Sequence, residues 1–327
     1  MEKILEGKVA LVTGSGQGIG RAIALFFAAQ GAKVITNNRK PGKSAPSMVS
    51  PEQIEKLDPE QKKQFLEGLE KETGDAESTA NQIRALGGEA TPCYADISKI
   101  EDAKRIVDFT VETYGRIDIL CNVAGGFGFS PIEDITDELW DHVNGVKPKG
   151  YWHAIKYAVP YMKAQKYGRI ILCASPAFQG DVLTHAEYCA ANAGVVGLTR
   201  AAAIELRPHG ITVNCFAPAA ATRASYELEA AKRTHDKGII TEGKKYIDIK
   251  DVPGPEYVAP FVGYLASEKS EKCSGAVFML MGNMINRFLD PTPAKVLFKE
   301  ARDPWTIDEI FARETELFEG YVSLADK

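Results

Sequence analysis

The chain has 327 residues, 45% of them apolar and 25% charged, enough to bury a large core in one big α/β domain or two small ones. Its formal net charge of -5 argues against a nucleic-acid partner or an anionic membrane surface, since both favour basic proteins. The opening residues carry acids rather than a secretory core, and no apolar run approaches the roughly 20 residues that span a bilayer, so a soluble cytoplasmic protein is expected.

Residues 8–13 (Lys-Val-Ala-Leu-Val-Thr) form a continuous apolar run ended by glycine, as in a parallel strand buried on both faces. Helical periodicity follows over 19–30 and stops at Gly31, a C-terminal glycine, before a second strand at Val34-Ile35-Thr36. The alternation continues through helix 75–86, strand 89–94, helix 100–114, strand 117–122, helix 136–165 and strand 169–174. It closes with helix 186–207, strand 211–216, helix 255–267 and strand 276–281. Strands alternating with helices build right-handed crossovers, which predicts an α/β protein with a doubly wound parallel sheet in a single domain, 1–327.

Two segments break the rhythm. Residues 41–74 form a polar insertion with Pro41, Pro46, Pro51 and Pro59 among many Glu, Lys and Gln. Ser50-Pro51 and Asp58-Pro59 each read as an N-cap followed by proline at the first helical position, predicting two short helices. The insertion is a solvated surface, a cover over a bound ligand or an oligomer contact. Residues 222–253 are polar, show no strand pattern and follow the sixth strand, where a substrate lid belongs. A C-terminal tail spans 283–327.

The six cysteines (93, 121, 173, 189, 215 and 273) include no Cys-x-x-Cys pair and have no histidine at metal spacing, so no metal site is expected. Cys121, Cys173 and Cys215 fall in strand-like runs and read as small buried hydrophobes of a reducing compartment. Cys189, beside Tyr188, is the candidate for reactivity.

Gly14, Gly18 and Gly20 lie in Thr13-Gly14-Ser15-Gly16-Gln17-Gly18-Ile19-Gly20, between a buried strand and a helix. There, backbone N–H groups at a helix N-terminus can meet a pyrophosphate without Cβ interference. Ser175 ends the fifth strand, and 13 residues later comes Tyr188-Cys189-Ala190-Ala191-Asn192. Together these motifs resemble the short-chain dehydrogenase/reductase family, whose catalytic helix reads Tyr-x-x-x-Lys. Residues 217–223 (Ala-Pro-Ala-Ala-Ala-Thr-Arg), Val258-Ala259-Pro260 and Leu265-Ala266-Ser267 resemble the dehydrogenase unit of the multifunctional β-oxidation enzymes. The likeness runs from Gly7 to about Met281, apart from the insertion.

The resemblance implies a Rossmann-type fold in which Gly14, Ser15, Gln17, Gly18, Ile19 and Gly20 hold the dinucleotide pyrophosphate. It implies that Asp96 and Ile97 contact adenine, and that Asn122, Ala124 and Gly125 form the turn after the fourth strand, with Val123 replacing one asparagine. Pro218 and Ala219 stand where the family's Pro-Gly packs on nicotinamide. The second strand ends in Asn37-Asn38-Arg39-Lys40, with no acid for the ribose hydroxyls. Arg39, beside Asn38, offers a planar fork for a 2′-phosphate, so NADP is expected over NAD. Gln17 is a contrary sign, because many NADP-using relatives carry a basic residue near that position.

By the same resemblance Ser175 orients the substrate oxygen and Tyr188 moves a proton while hydride passes to or from nicotinamide. The family's lysine holds the ribose and favours the ionised tyrosine. Here its place is taken by Asn192, four residues after Tyr188 and on the same helix face, whose amide can still reach the ribose. The family's relay asparagine aligns with Lys147 in Asn144-Gly145-Val146-Lys147-Pro148-Lys149-Gly150. Lysine and asparagine thus stand exchanged between neighbouring helices, and Pro148 should kink the first of them. Either Lys147 replaces the missing charge or it is a structural lysine.

Substrate walls are expected from residues 126–129, 177–181 and the lid, whose phenylalanines suit an apolar small-molecule substrate. The helix over 190–204 is apolar on nearly all faces, so a homodimer or homotetramer built on helices 136–165 and 186–207 is expected. Three functions remain open. The first is a ketone reductase or alcohol dehydrogenase acting on a hydroxyacyl-CoA- or hydroxysteroid-like substrate. The second is a nucleotide-retaining enzyme of elimination, isomerisation or carbon–carbon cleavage beside a carbonyl. The third is a degenerate nucleotide-binding subunit that supports an active partner.

Overall fold

β1 (Val9–Thr13), buried along its whole length, pairs in parallel with β2 (Lys33–Asn38) on one side and β4 (Ile119–Asn122) on the other. β3 (Glu89–Tyr94) lies beyond β2. β5 (Gly168–Cys173), β6 (Ile211–Ala219) and β7 (Val277–Met281) continue beyond β4, all parallel. Because the order reverses at β1, the carboxyl ends of β1 and β4 flank the crevice where a doubly wound sheet takes its ligand. This computed structural model describes residues 3–42, 49–71, 73–180, 184–234, 252–291, 293, 295–297 and 304–320.

Helices cover both faces. α1 (Gly18–Ala29), α4 (Ala76–Ala85) and α10 (Ala259–Ala266) bury Ile23, Phe27, Ile83 and Val262 against one side of the sheet. α5 (Ile100–Tyr114), α7 (Tyr151–Gln165) and α8 (Ala186–Leu206) bury Ile106, Ala154, Met162 and Val195 against the other. Gly31, just past α1, takes φ 94, the left-handed conformation that lets glycine end a helix.

The structure differs from the sequence reading at three places. First, the sheet has an eighth strand, β8 (Met284–Arg287), antiparallel to β7 with Met281 opposite Met284. The expected tail therefore begins later than 283. Four residues, Met-Ile-Asn-Arg, are too few to show a period; the cue was the two-residue Gly282-Asn283 turn, with Gly282 at φ 53.

Second, the helix expected over 136–165 is two helices, α6 (Asp137–Asn144) and α7, joined by a wide turn over Gly145–Gly150. Lys147 leaves the helical region at φ -123, ψ 128, and the Lys147-Pro148 peptide is cis. The proline ring clashes with a helical predecessor and pushes it to extended angles.

Third, the insertion, largely exposed, also carries a small buried cluster. Its two predicted helices are present. α2 (Pro51–Glu55) is capped by Ser50, and α3 (Pro59–Lys71) begins with Asp58 accepting from the Gln61 N–H at 2.8 Å. Val49, Leu57 and Phe65 are buried with Ala230 and Ala231 of α9 (Arg223–Thr234), which occupies the start of the lid segment. Residues 43–48 and 72 of the insertion, and 235–251 of the lid, lie outside the described residues.

Leu289–Lys327 group apart from Met1–Phe288. Their described part carries α11 (Ile307–Phe318), started by a capping box between Thr306 and Glu309. Among the described residues no helix is long and apolar enough to cross a membrane, and no cluster of His, Cys, Asp or Glu could hold a metal ion.

Candidate active site

The glycine turn after β1 is closed by backbone on two sides. A Cβ added to Gly14, at φ 68, would lie 2.6 Å from the Ala124 N and Cα. One added to Gly20 would lie 2.2 Å from the Gly14 carbonyl oxygen. Gln17 is the residue before α1 and makes no side-chain cap; Gly18 and Ile19 open the helix with no acid in its first turn. Such a helix start favours an anion. Ser15, by contrast, is fully buried. Its hydroxyl donates to the Val12 carbonyl and accepts from the Asn37 N–H, both at 2.8 Å.

Thr13 ties this turn to the end of β4. Its hydroxyl donates to Asn122 Oδ1 at 3.2 Å and accepts from the N–H groups of Val123 (3.2 Å) and Ala124 (3.4 Å). The buried Asn122 Nδ2 has no hydrogen-bond partner among the described residues. Pro218 and Ala219 end β6, half-buried.

Beside β2 the polar side chains serve the scaffold. Asn38 is buried, accepts from the Ala76 N–H at 2.7 Å and donates to the Lys40 carbonyl at 3.1 Å, while Arg39 is exposed. Asp75 caps α4 and accepts from the Gly42 N–H and the Tyr94 hydroxyl, each at 2.9 Å. Partial burial raises its carboxyl, but these bonds and those from Ser78 outweigh it and hold the group below the usual carboxylate range. Asp96 accepts from the Ser98 N–H and hydroxyl. Ile97 is buried, with its carbonyl 3.1 Å from His153 Nδ1.

The candidate catalytic side chains lie on elements that pack together at the carboxyl end of β5. Ser175 extends that strand and accepts from the Ala177 N–H at 3.3 Å, capping a 3-10 turn over Pro176–Gln179 that packs against α8. A hydroxyl that accepts there still has a proton to donate. Tyr188, in the first turn of α8, has its ring 5.6 Å from Phe127 and 6.2 Å from His185. Asn192 is fully buried. Its Nδ2 donates to the Tyr188 carbonyl at 2.8 Å, and its Oδ1 accepts from Lys147 Nζ at 3.4 Å.

Lys147 is 3% exposed, with Nζ 5.9 Å from the centre of the Tyr188 ring and 5.7 Å from that of Tyr151. Two glycines permit this path. Pro148 packs on Gly194 of α8, where an added Cβ would stand 2.9 Å from its Cγ. The lysine stem crosses Gly125, where a Cβ would stand 2.8 Å from Lys147 Cε. Burying an ammonium is costly unless acceptors replace water. Of its three donors, one has a hydrogen-bond acceptor among the described residues, the Asn192 carbonyl.

Three neighbours were not singled out from sequence. Tyr151 shares its hydroxyl proton between the Ala124 (2.9 Å) and Cys173 (3.3 Å) carbonyls, joining the ends of β4 and β5. Glu187 is fully buried; one carboxylate oxygen accepts from the Gly128 N–H at 3.0 Å, and the other has no hydrogen-bond partner among the described residues. His185 is buried against Phe127 and Phe129, with ring centres 5.7 and 5.3 Å away. An acid in a helix's first turn ordinarily complements the dipole from the surface, so sequence carried no sign of the buried role of Glu187. Burial pushes up the Cys121, Cys173 and Cys215 thiols, the last to about 12, while the Lys147 charge opposes it at Cys173.

The short chain dehydrogenase family model matches residues 8–64 and 54–232, and the chain belongs to that family. It is therefore an oxidoreductase of the NAD(P)-dependent short-chain type. Over 305 residues it is 30% identical to peroxisomal multifunctional enzyme type 2 of Mus musculus, covering 93% of this chain and 36% of that protein. It is 28% identical over 290 residues to D-beta-hydroxybutyrate dehydrogenase of Cupriavidus necator, covering 86% and 99%. A short chain dehydrogenase from Mycobacterium avium superposes with a TM-score of 0.74 at 28% identity, over 96% of each chain. The chain spans less than half the length of the peroxisomal relatives it matches.

Proposed function

We propose that this chain interconverts an apolar ketone and its alcohol with NADP(H), using Ser175, Tyr188 and Lys147, with Asn192 as the positioning residue for Lys147. The observation that carries this reading is the buried Lys147 ammonium, held 3.4 Å from Asn192 Oδ1 and 5.9 Å from the Tyr188 ring. The cradle a Cβ would fill at Gly14 and Gly20, and the unpartnered Asn122 Nδ2, fit a dinucleotide. Gly14, Gln17, Gly18, Ile19 and Gly20 hold its pyrophosphate. Asp96, Ile97, Asn122, Ala124 and Gly125 line its adenine and ribose side, and Pro218 and Ala219 its nicotinamide side. Ser15 and Asn38 support this cradle from within the scaffold.

Bound there, nicotinamide supplies or accepts the hydride. Ser175 orients the substrate oxygen by hydrogen bonding. Tyr188 gives its proton to that oxygen in reduction and takes it back in oxidation. Lys147 favours the phenolate that forms, and its remaining donors suit ribose hydroxyls. Phe127 and Phe129 make the facing wall apolar, which suits a hydroxyacyl-CoA- or hydroxysteroid-like substrate. Nicotinamide absorbance followed against a panel of ketones tests this. Product formed without an absorbance change would favour the non-redox reaction, and no product at all the partner-subunit role.

Arg39 carries the nucleotide preference. Arg39→Ala should weaken NADPH far more than NADH in equilibrium titrations, and equal losses would remove the case for NADP. The proposed assembly is a homodimer or homotetramer. Ala193, Gly197, Ala201 and Ile204 (79% exposed) lie along α8, and Trp152 (44% exposed) lies on α7. Sedimentation of a 35.6 kDa single subunit at micromolar concentration would refute it. The compartment proposed is the cytoplasm, on the strength of the buried free thiols; cell fractionation checks it.

A further inference from the structure

The insertion leaves and rejoins the sheet beside the dinucleotide turn. The Gly42 N–H meets Asp75 Oδ2 at 2.9 Å, Arg21 Nη1 donates to the Thr73 carbonyl at 3.3 Å, and a Cβ on Gly74 would lie 2.6 Å from the Gly16 carbonyl oxygen. Its helices pack elsewhere, on α9. The Tyr226 ring lies against Gly68 of α3 so closely that a Cβ there would stand 2.6–2.7 Å from three ring carbons. Val49, Leu57 and Phe65 are buried with Ala230 and Ala231 in the same cluster.

A side chain from outside the insertion and α9 also packs on that cluster. Phe129 is partly buried against it, and its ring is also 5.3 Å from His185, which in turn faces Tyr188 at 6.2 Å. A continuous line of packed groups thus runs from the insertion through Phe129 to the tyrosine. Packed interiors transmit displacement because they hold few voids.

We propose that helices α2 and α3 of the insertion form the specificity wall of the substrate site: α3 latches α9 through the Gly68–Tyr226 contact and, with α2, backs Phe129, fixing how long an apolar substituent the site accepts beside the carbonyl. This rests on the reading of an apolar ketone at Tyr188. Gly68 and Tyr226 are positioning residues and touch neither substrate nor nucleotide.

Gly68→Ala is the test, because alanine strengthens a helix while its methyl displaces the Tyr226 ring. Binding of 2-butanone and 2-dodecanone to the NADPH-loaded protein is measured by calorimetry, alongside KM and kcat. Hydrogen exchange is read over 223–234. The expected result is affinity and KM for 2-dodecanone worsened about tenfold, the scale of a methylene or two in an apolar pocket. Values for 2-butanone, kcat and NADPH affinity stay unchanged, and α9 exchanges about tenfold faster.

Unchanged exchange in α9 would overturn the latch. Faster exchange with an unchanged ratio between the two ketones would overturn the wall. If neither ketone is turned over by the parent protein, the redox reading fails, while binding and exchange still decide the inference. If neither ketone binds the parent, the wall is overturned with it.

Discussion

Lys147→Ala lowers turnover about 100-fold while the melting temperature stays within a few degrees. A unit charge 5.9 Å from the Tyr188 ring is worth about 3 kcal/mol to a phenolate at an effective dielectric of ~20. At ~1.4 kcal/mol per factor of ten, that is about two orders of magnitude in rate. Folding survives because truncation removes a buried charge whose one hydrogen-bond acceptor among the described residues is a neutral amide. Tyr188→Phe should cost at least as much. The reversed pair, Lys147→Asn with Asn192→Lys, should retain activity, since it returns the charge to α8 and the amide to the kink. Steady-state kinetics with a ketone substrate check all three. Turnover unchanged in Lys147→Ala would end the exchange argument and shift preference to the non-redox or supporting roles.

Gly14→Ala abolishes nucleotide binding and destabilises the fold. The left-handed φ of 68 costs a residue with a Cβ about 1–2 kcal/mol. The methyl would meet the Ala124 backbone at 2.6 Å, where no change of rotamer relieves the contact, and overpacking of this kind costs about 1–3 kcal/mol more. The turn after β4 must move, and it is the turn held by Thr13. Denaturant melts should show an earlier midpoint, and fluorescence titration with NADPH and with NADH should show no binding. A variant that melts with the parent protein and still binds either nucleotide would disprove the cradle.

The strands and helices were legible wherever burial on both faces wrote continuous apolar runs, as in β1 and β6, or where proline and its cap fixed a start, as at Ser50-Pro51. The interrupted helix was half legible. Pro148 announced a kink, and alignment of its neighbour with the family's asparagine marked Lys147 as out of place. That its ammonium meets Asn192 depends on Gly125 and Gly194, two absent side chains far apart in sequence, and no periodicity records such a coincidence.

Other features were hidden for related reasons. Asn38 looks like a ligand contact by position, yet the backbone around it takes up both polar atoms of its side chain. The insertion looked solvated because Val49, Leu57 and Phe65 are sparse among charges. Their burial requires α9, which lies more than 150 residues later in the chain.

The two outer strands bear on how copies of this chain can meet. β3 contains Pro92, which has no N–H to offer, and β8 stops after four residues at Asn286-Arg287. An open strand edge is a template on which another chain can add by backbone pairing, and proline, charge and shortness each spoil it. Neither margin of this sheet is a long, flat ribbon of free amides and carbonyls. Among the described residues both margins are therefore poor templates for extending the sheet from one molecule into the next.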